Sequence, residues 1–105
     1  MSTYQNISAT ELNKMLQQGN VRLLDVRTDA EIARGKIPQA DKLPLHMIPL
    51  RMNELDKNIP TVFYCQMGGR SAQAAAFAAA SGLKEVYNLS GGIMGWAQAG
   101  LPIGL

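Results

Sequence analysis

Apolar positions change period several times along the chain, and each change predicts an element. Leu12, Met15 and Leu16 recur on one helical face behind Ser8-Ala9-Thr10-Glu11, which has capping-box spacing, and Gly19 supplies a stop. A helix is predicted over about residues 9–18. Residues 21–26 are apolar apart from Arg22 and Asp25 and predict a strand ending in Asp25-Val26-Arg27. Residues 29–34 predict a short helix closed by Gly35, after which Ile37-Pro38 imposes extended backbone. Beyond Leu43-Pro44-Leu45, the side chains of Met47, Leu50, Met52 and Leu55 fall at helical spacing and read as core or loop-covering groups. Residues 61–64, β-branched and aromatic after Pro60, predict a short buried strand. Residues 71–81 carry alanine on every face and predict a helix packed closely between a sheet and other elements, closed by Gly82. Residues 85–89 predict a last strand, and Gly91-Gly92 opens a final helix that carries Trp96.

Strands alternating with helices at this spacing predict an α/β fold: an open parallel sheet flanked by helices on both faces, with ligands gathered at the carboxyl ends of the strands. Cys65 and Arg27 both fall at such ends. The 105 residues suit a single domain, residues 1–105, with one core. A net charge of +2 is too small to argue for nucleic acid. One cysteine makes no internal disulfide, and with a single histidine there is no Cys/His cluster for a metal, so neither metal nor cofactor is expected. The first residues lack the basic and apolar regions of a signal peptide and no apolar run approaches a membrane span. A cytoplasmic protein is the expectation.

The chemistry concentrates in Cys65-Gln66-Met67-Gly68-Gly69-Arg70-Ser71. Here the cysteine ends a strand, two glycines allow a tight loop whose N–H groups converge on one point, and a helix follows with Ser71 as its predicted N-cap. Converging N–H dipoles, a helix N-terminus and the Arg70 cation all favour an anion. Such surroundings bring cysteine thiols from ~8.5 into a range of roughly 3.5 to 7.5. A lone cysteine is more often a small buried hydrophobe, but a core cysteine has no need of this sequel. Cys65 is therefore read as a nucleophile. His46 is tempting as a general base, yet a thiolate formed by its own loop needs none. Asp25 and Arg27 share one side of their strand and, taken alone, read as a surface ion pair.

This loop resembles the active-site loop of the rhodanese family, the single-domain sulfurtransferases. Leu24-Asp25-Val26-Arg27 with Glu31 resembles the family's Asp-x-Arg strand end, and Gly35-Lys36-Ile37-Pro38-Gln39-Ala40 its Gly-His-Ile-Pro-Gly-Ala segment. Residues 89–102, with Gly91-Gly92 and Trp96, resemble its closing Gly-Gly-x-x-x-Trp element. Lys36 and Gln39 depart from the family's histidine and glycine, and Lys36 reads as a solvated surface charge. The resemblance implies a rhodanese-like sheet and a crevice braced by the Asp25-Arg27 strand end. It also implies sulfur transfer through a persulfide on Cys65, with Gln66, Met67, Gly68, Gly69, Arg70, Ser71 and Arg27 binding substrate and Asp25 in support. The implied partners are a small anionic donor such as thiosulfate and a thiol or cyanide acceptor, with a protein persulfide as the alternative donor or acceptor.

Two other classes compete: a non-catalytic sulfur carrier, and a cell-cycle-type dual-specificity phosphatase, which also joins a cysteine to a backbone cradle and an arginine. Loop length bears on the second. Four residues separate Cys65 from Arg70, whereas the phosphatase signature has five. The tighter ring suits one sulfur better than a tetrahedral phosphoryl group.

Overall fold

The computed structural model describes residues 3–105. Five strands, β1 (Gln5–Ile7), β2 (Arg22–Asp25), β3 (Asp41–Lys42), β4 (Thr61–Tyr64) and β5 (Val86–Leu89), form one parallel sheet in the order β1-β5-β4-β2-β3. The helices are α1 (Ala9–Gln18), α2 (Asp29–Ala33), α3 (Ile48–Arg51), α4 (Gly69–Ala80) and α5 (Gly92–Gln98). Short 3-10 turns at Leu45–Met47 and Met52–Glu54 flank α3, so the segment read as helical over residues 47–55 is three short pieces.

Strand β4 lies at the centre and is buried along its whole length. Side chains alternate across a strand. Phe63 and Cys65 therefore face one layer, with Leu24, Val26, Ile48, Met52 and the alanines of α4. Val62 and Tyr64 face the other, with Leu12 of α1 and Ile93 and Trp96 of α5. Helices thus cover both faces of the sheet, and the carboxyl end of β4 opens between the layers.

The predicted helices and three inner strands are present within a residue or two, and the differences have local causes. Edge strands β1 and β3 were not expected, because Gln5, Asn6, Asp41 and Lys42 are exposed polar residues whose only strand signal is pairing with a neighbour. Helix α2 starts with a second capping box, in which the Thr28 hydroxyl accepts from the Glu31 N–H while Glu31 accepts from the Thr28 N–H. Lys36 is not a free surface charge. Its backbone pairs with Gly104, and its Nζ donates to the Ala40 carbonyl at 2.9 Å. No helix among the described residues is long and apolar enough to cross a membrane.

Helix α4 is the closest neighbour of the site. Ala74, Ala75, Ala78 and Ala79 are buried against the sheet, and methyl side chains are what permit the approach. Enlarging one of them has no free volume to use. Ala78→Leu is expected to cost about 1–3 kcal/mol in urea unfolding; an unchanged midpoint would show that the interface is looser than described.

Candidate active site

Cys65 follows the last residue of β4 and is buried. Its Sγ accepts from the Gly68 N–H at 3.1 Å, the Ser71 N–H at 3.4 Å and the Ser71 hydroxyl at 3.3 Å. Two features of the chain aim these donors. Gly68 sits at φ +107°, the left-handed region, and a Cβ there would collide with the Ser90 carbonyl, so glycine is required on both grounds. Helix α5 then holds the loop from behind: Ile93 N–H donates to the Cys65 carbonyl at 3.0 Å and Met94 N–H to the Gln66 carbonyl at 3.2 Å. In a trans peptide the carbonyl and the N–H point in opposite directions. Anchoring these two carbonyls on α5 therefore turns the N–H groups of Gln66 and Met67 the other way, and that of Met67 helps to lower the thiol pKa.

Burial raises the thiol pKa. Hydrogen bonds from the Ser71 hydroxyl and N–H, and from the Gly68 and Met67 N–H groups, outweigh it, leaving the thiol below its ordinary value. Arg70, expected as the cation beside the sulfur, directs its guanidinium fork at Glu31, with both N–O distances 2.7 Å, and acts on Cys65 through its charge alone. Ser71 is not an N-cap. Gly68 occupies that position, α4 begins at Gly69, and Ser71 lies buried in the first turn with its hydroxyl shared between Cys65 Sγ and Asn88 Oδ1, the latter at 2.6 Å.

The Asp25–Arg27 pair is not on the surface. Both residues are buried, at 1% and 2% exposure, with the guanidinium gripping the carboxylate at 2.8–3.2 Å. Arg27 also donates to the Gly35 carbonyl at 2.8 Å and the Glu31 carbonyl of α2 at 3.4 Å, and reaches Gln66 Oε1 at 3.5 Å, so the end of β2 ties α2 to the reactive loop. A cleft of about 300 Å³ lined by Arg27, Glu31, Arg34, Gln66, Met94 and Ile103 opens on one side of the Glu31–Arg70 pair. A second, of about 490 Å³, opens on the other beside Arg27, Pro44, Leu45, His46 and Arg70. His46 makes no hydrogen bond to Cys65. The Met67 side chain is exposed at the loop tip.

Sequence reasoning gave two residues of this centre no part in the site, although it named Gly92 in the closing element. Asn88 is a buried polar residue on β5 that donates to the Gly68 carbonyl and to Asn6 Oδ1; an asparagine inside an apolar strand was the available signal. Gly92, at φ +61°, lies where a Cβ would strike the Gln66 and Met67 backbone.

Comparison with known proteins agrees with this geometry. Residues 8–99 match the rhodanese-like domain model. A sulfurtransferase of Allochromatium vinosum is 52% identical over 84 residues, covering 80% of this chain and 78% of that protein. The thiosulfate sulfurtransferase GlpE of Shewanella oneidensis is 28% identical over 99 residues, 94% of this chain and 98% of its own. The crystal structure of a rhodanese-related protein from Thermoplasma volcanium superimposes with a TM-score of 0.87 at 29% identity, over 97% of this chain and 99% of that one. With a cysteine-bearing loop at the end of a central parallel strand and a family match across most of its length, the chain belongs to the rhodanese family and is a sulfurtransferase.

Two outcomes follow from the anchoring contacts. Gly92→Ala places a side chain against the loop backbone, whereas Gly95→Ala meets nothing within 4 Å. The first is expected to lower stability by at least about 1 kcal/mol and to move the Cys65 thiol back toward its ordinary pKa. The second is expected to do neither, as read by urea unfolding and by iodoacetamide alkylation rate against pH. Arg70 holds the Glu31 carboxyl down at about 2. A carboxyl depressed in the folded state contributes stability above its unfolded value of about 4.3, and that contribution disappears as pH falls toward the folded value. Glu31→Gln should therefore flatten the fall in stability between about pH 4 and pH 2; an identical acid limb in both proteins would contradict the pairing.

Proposed function

We propose that this sulfurtransferase moves a sulfane sulfur from thiosulfate or a persulfide donor to a thiol or cyanide acceptor through a persulfide on Cys65. The observation that carries the reading is the set of N–H donors converging on Sγ from a loop with only four residues between Cys65 and Arg70. In the first step the thiolate attacks the outer sulfur of thiosulfate. An Sγ–S bond forms, the S–S bond of the donor breaks, and sulfite leaves with the bonding pair. In the second, cyanide or a thiolate attacks the outer sulfur of the persulfide, and the Cys65 thiolate is released. Covalent catalysis of this kind gives ping-pong kinetics.

The persulfide carries its charge on the outer sulfur, one bond beyond Sγ. The backbone N–H groups of Gln66, Met67, Gly68, Gly69, Arg70 and Ser71 form the cradle for that charge, already oriented before the reaction. Arg70 and Arg27 line the clefts beside the loop, each already paired with a carboxylate, and their guanidinium groups are the contacts offered to an anionic donor. Asp25 supports the site by fixing the Arg27 guanidinium. A reducing, cytoplasmic setting keeps the lone thiol free for the cycle.

Thiosulfate enters as the donor because GlpE, similar along nearly the whole chain, is named for it. Cys65→Ser is expected to retain the fold and to lose thiosulfate:cyanide activity altogether, since no other thiol exists in the chain. Retained activity in the purified variant would refute the proposal. Aryl phosphate hydrolysis that disappears in Cys65→Ser would point to the phosphatase class instead.

A further inference from the structure

The hydrogen bonds around Ser71 do not balance in a single arrangement. Asn88 Nδ2 faces the Gly68 carbonyl at 3.3 Å and Asn6 Oδ1 at 3.0 Å, and a backbone carbonyl can only accept. The Asn88 amide is thereby oriented with Oδ1 toward the Ser71 hydroxyl at 2.6 Å. The hydroxyl has one proton and two buried acceptors, Asn88 Oδ1 and Cys65 Sγ. When the cysteine is a neutral thiol, both are satisfied in a chain: S–H donates to Ser71 Oγ, and Oγ–H donates to Oδ1. When it is a thiolate, the hydroxyl proton must turn to Sγ, and Oδ1 is left facing an oxygen without a hydrogen between them.

We infer that Asn88 is a positioning residue that acts through a two-position Ser71 hydroxyl. The proton lies on Sγ while that atom is charged and returns to Asn88 when it is not. The consequence for catalysis rests on the sulfurtransferase reading. In the persulfide, Sγ is uncharged and the outer sulfur carries the charge, so the Ser71–Asn88 hydrogen bond is restored. Asn88 therefore opposes the free thiolate and favours the sulfur-loaded enzyme, adding to the loading equilibrium what it takes from thiol acidity.

The charged groups near Cys65 make their hydrogen bonds elsewhere, and the Arg70 charge acts on the sulfur without a bond to it. Arg70 is paired with Glu31 and Arg27 with Asp25, and none of the four hydrogen-bonds to Ser71 or Asn88 among the described residues. Tyr64, the titratable residue before Cys65, faces the opposite layer. The switch thus involves three side chains: Cys65, Ser71 and Asn88.

The sign of the effect separates this role from simple support of the loop. Loosening the cradle raises the thiol pKa, whereas removing only the competing acceptor lowers it. The test follows thiolate ultraviolet absorbance against pH in the full chain, in Asn88→Ala, in Ser71→Ala and in the double variant. Asn88→Ala is expected to lower the thiol pKa by about half to one unit, one hydrogen bond's effect, and to leave it unmoved when Ser71 is already alanine. At a fixed thiosulfate-to-sulfite ratio, its persulfide-to-thiolate ratio by intact mass should fall about threefold to tenfold. An unchanged or raised pKa in Asn88→Ala, or an equal shift with and without the Ser71 hydroxyl, would overturn the inference. Should Asn88→Ala fail to fold, Asn88→Asp keeps the acceptor and must raise the thiol pKa more with Ser71 present than with alanine there; equal rises would overturn it as well. The titration needs no sulfur donor, so it decides the switch even if the wild-type protein takes up no sulfur, a result that would count against the sulfurtransferase mechanism.

Discussion

Two hydrogen bonds from the start of α5, Ile93 N–H to the Cys65 carbonyl and Met94 N–H to the Gln66 carbonyl, determine which way the reactive loop faces. Without them nothing obliges the peptide planes after Cys65 to present N–H groups to the sulfur. With them, the loop is oriented by a helix whose own place is set by Trp96, buried between the sheet and the C-terminal turn with its indole N–H on the Pro102 carbonyl at 2.8 Å. Gly92 lets the helix start close enough to reach. The closing Gly-Gly-x-x-x-Trp element, remote in sequence from the cysteine, is thus part of the thiolate's environment.

The rest of the fold supplies position. Parallel strands bring the carboxyl ends of β2 and β4 side by side, with Asp25 paired in register with Tyr64, so Arg27 and Cys65 emerge at the same edge. The buried Asp25–Arg27 pair braces that edge. The cost of desolvating both charges is met by a bidentate geometry and the Gly35 carbonyl, and removing either partner would leave an uncompensated charge. On the other side, α4 approaches the sheet on alanine methyls and delivers Gly68 and Ser71 to the sulfur.

What could be read from the sequence was whatever depends on local pattern. The apolar run of β4, the α1 capping box, the alanine helix and the glycine-bearing loop after Cys65 each carry their cause in a few adjacent residues. Contacts between distant residues were not legible. Arg70 follows the loop and its charge does act on Cys65, but that its hydrogen bonds go to a carboxylate at Glu31, brought across by the sheet, was not legible. Ser71 had the composition of an N-cap, and the left-handed Gly68 displaced it from that position. Asn88 and the edge strands likewise acquire meaning only from neighbours far along the chain.

The central claim is that this loop stabilises a sulfur anion bonded to Cys65. Intact-mass spectrometry after incubation with thiosulfate and removal of small molecules tests it most directly. The account predicts a gain of one sulfur atom per chain, mapped to the peptide containing Cys65 and lost on addition of cyanide. A protein whose mass is unchanged by thiosulfate and by a low-molecular-weight persulfide alike would contradict it.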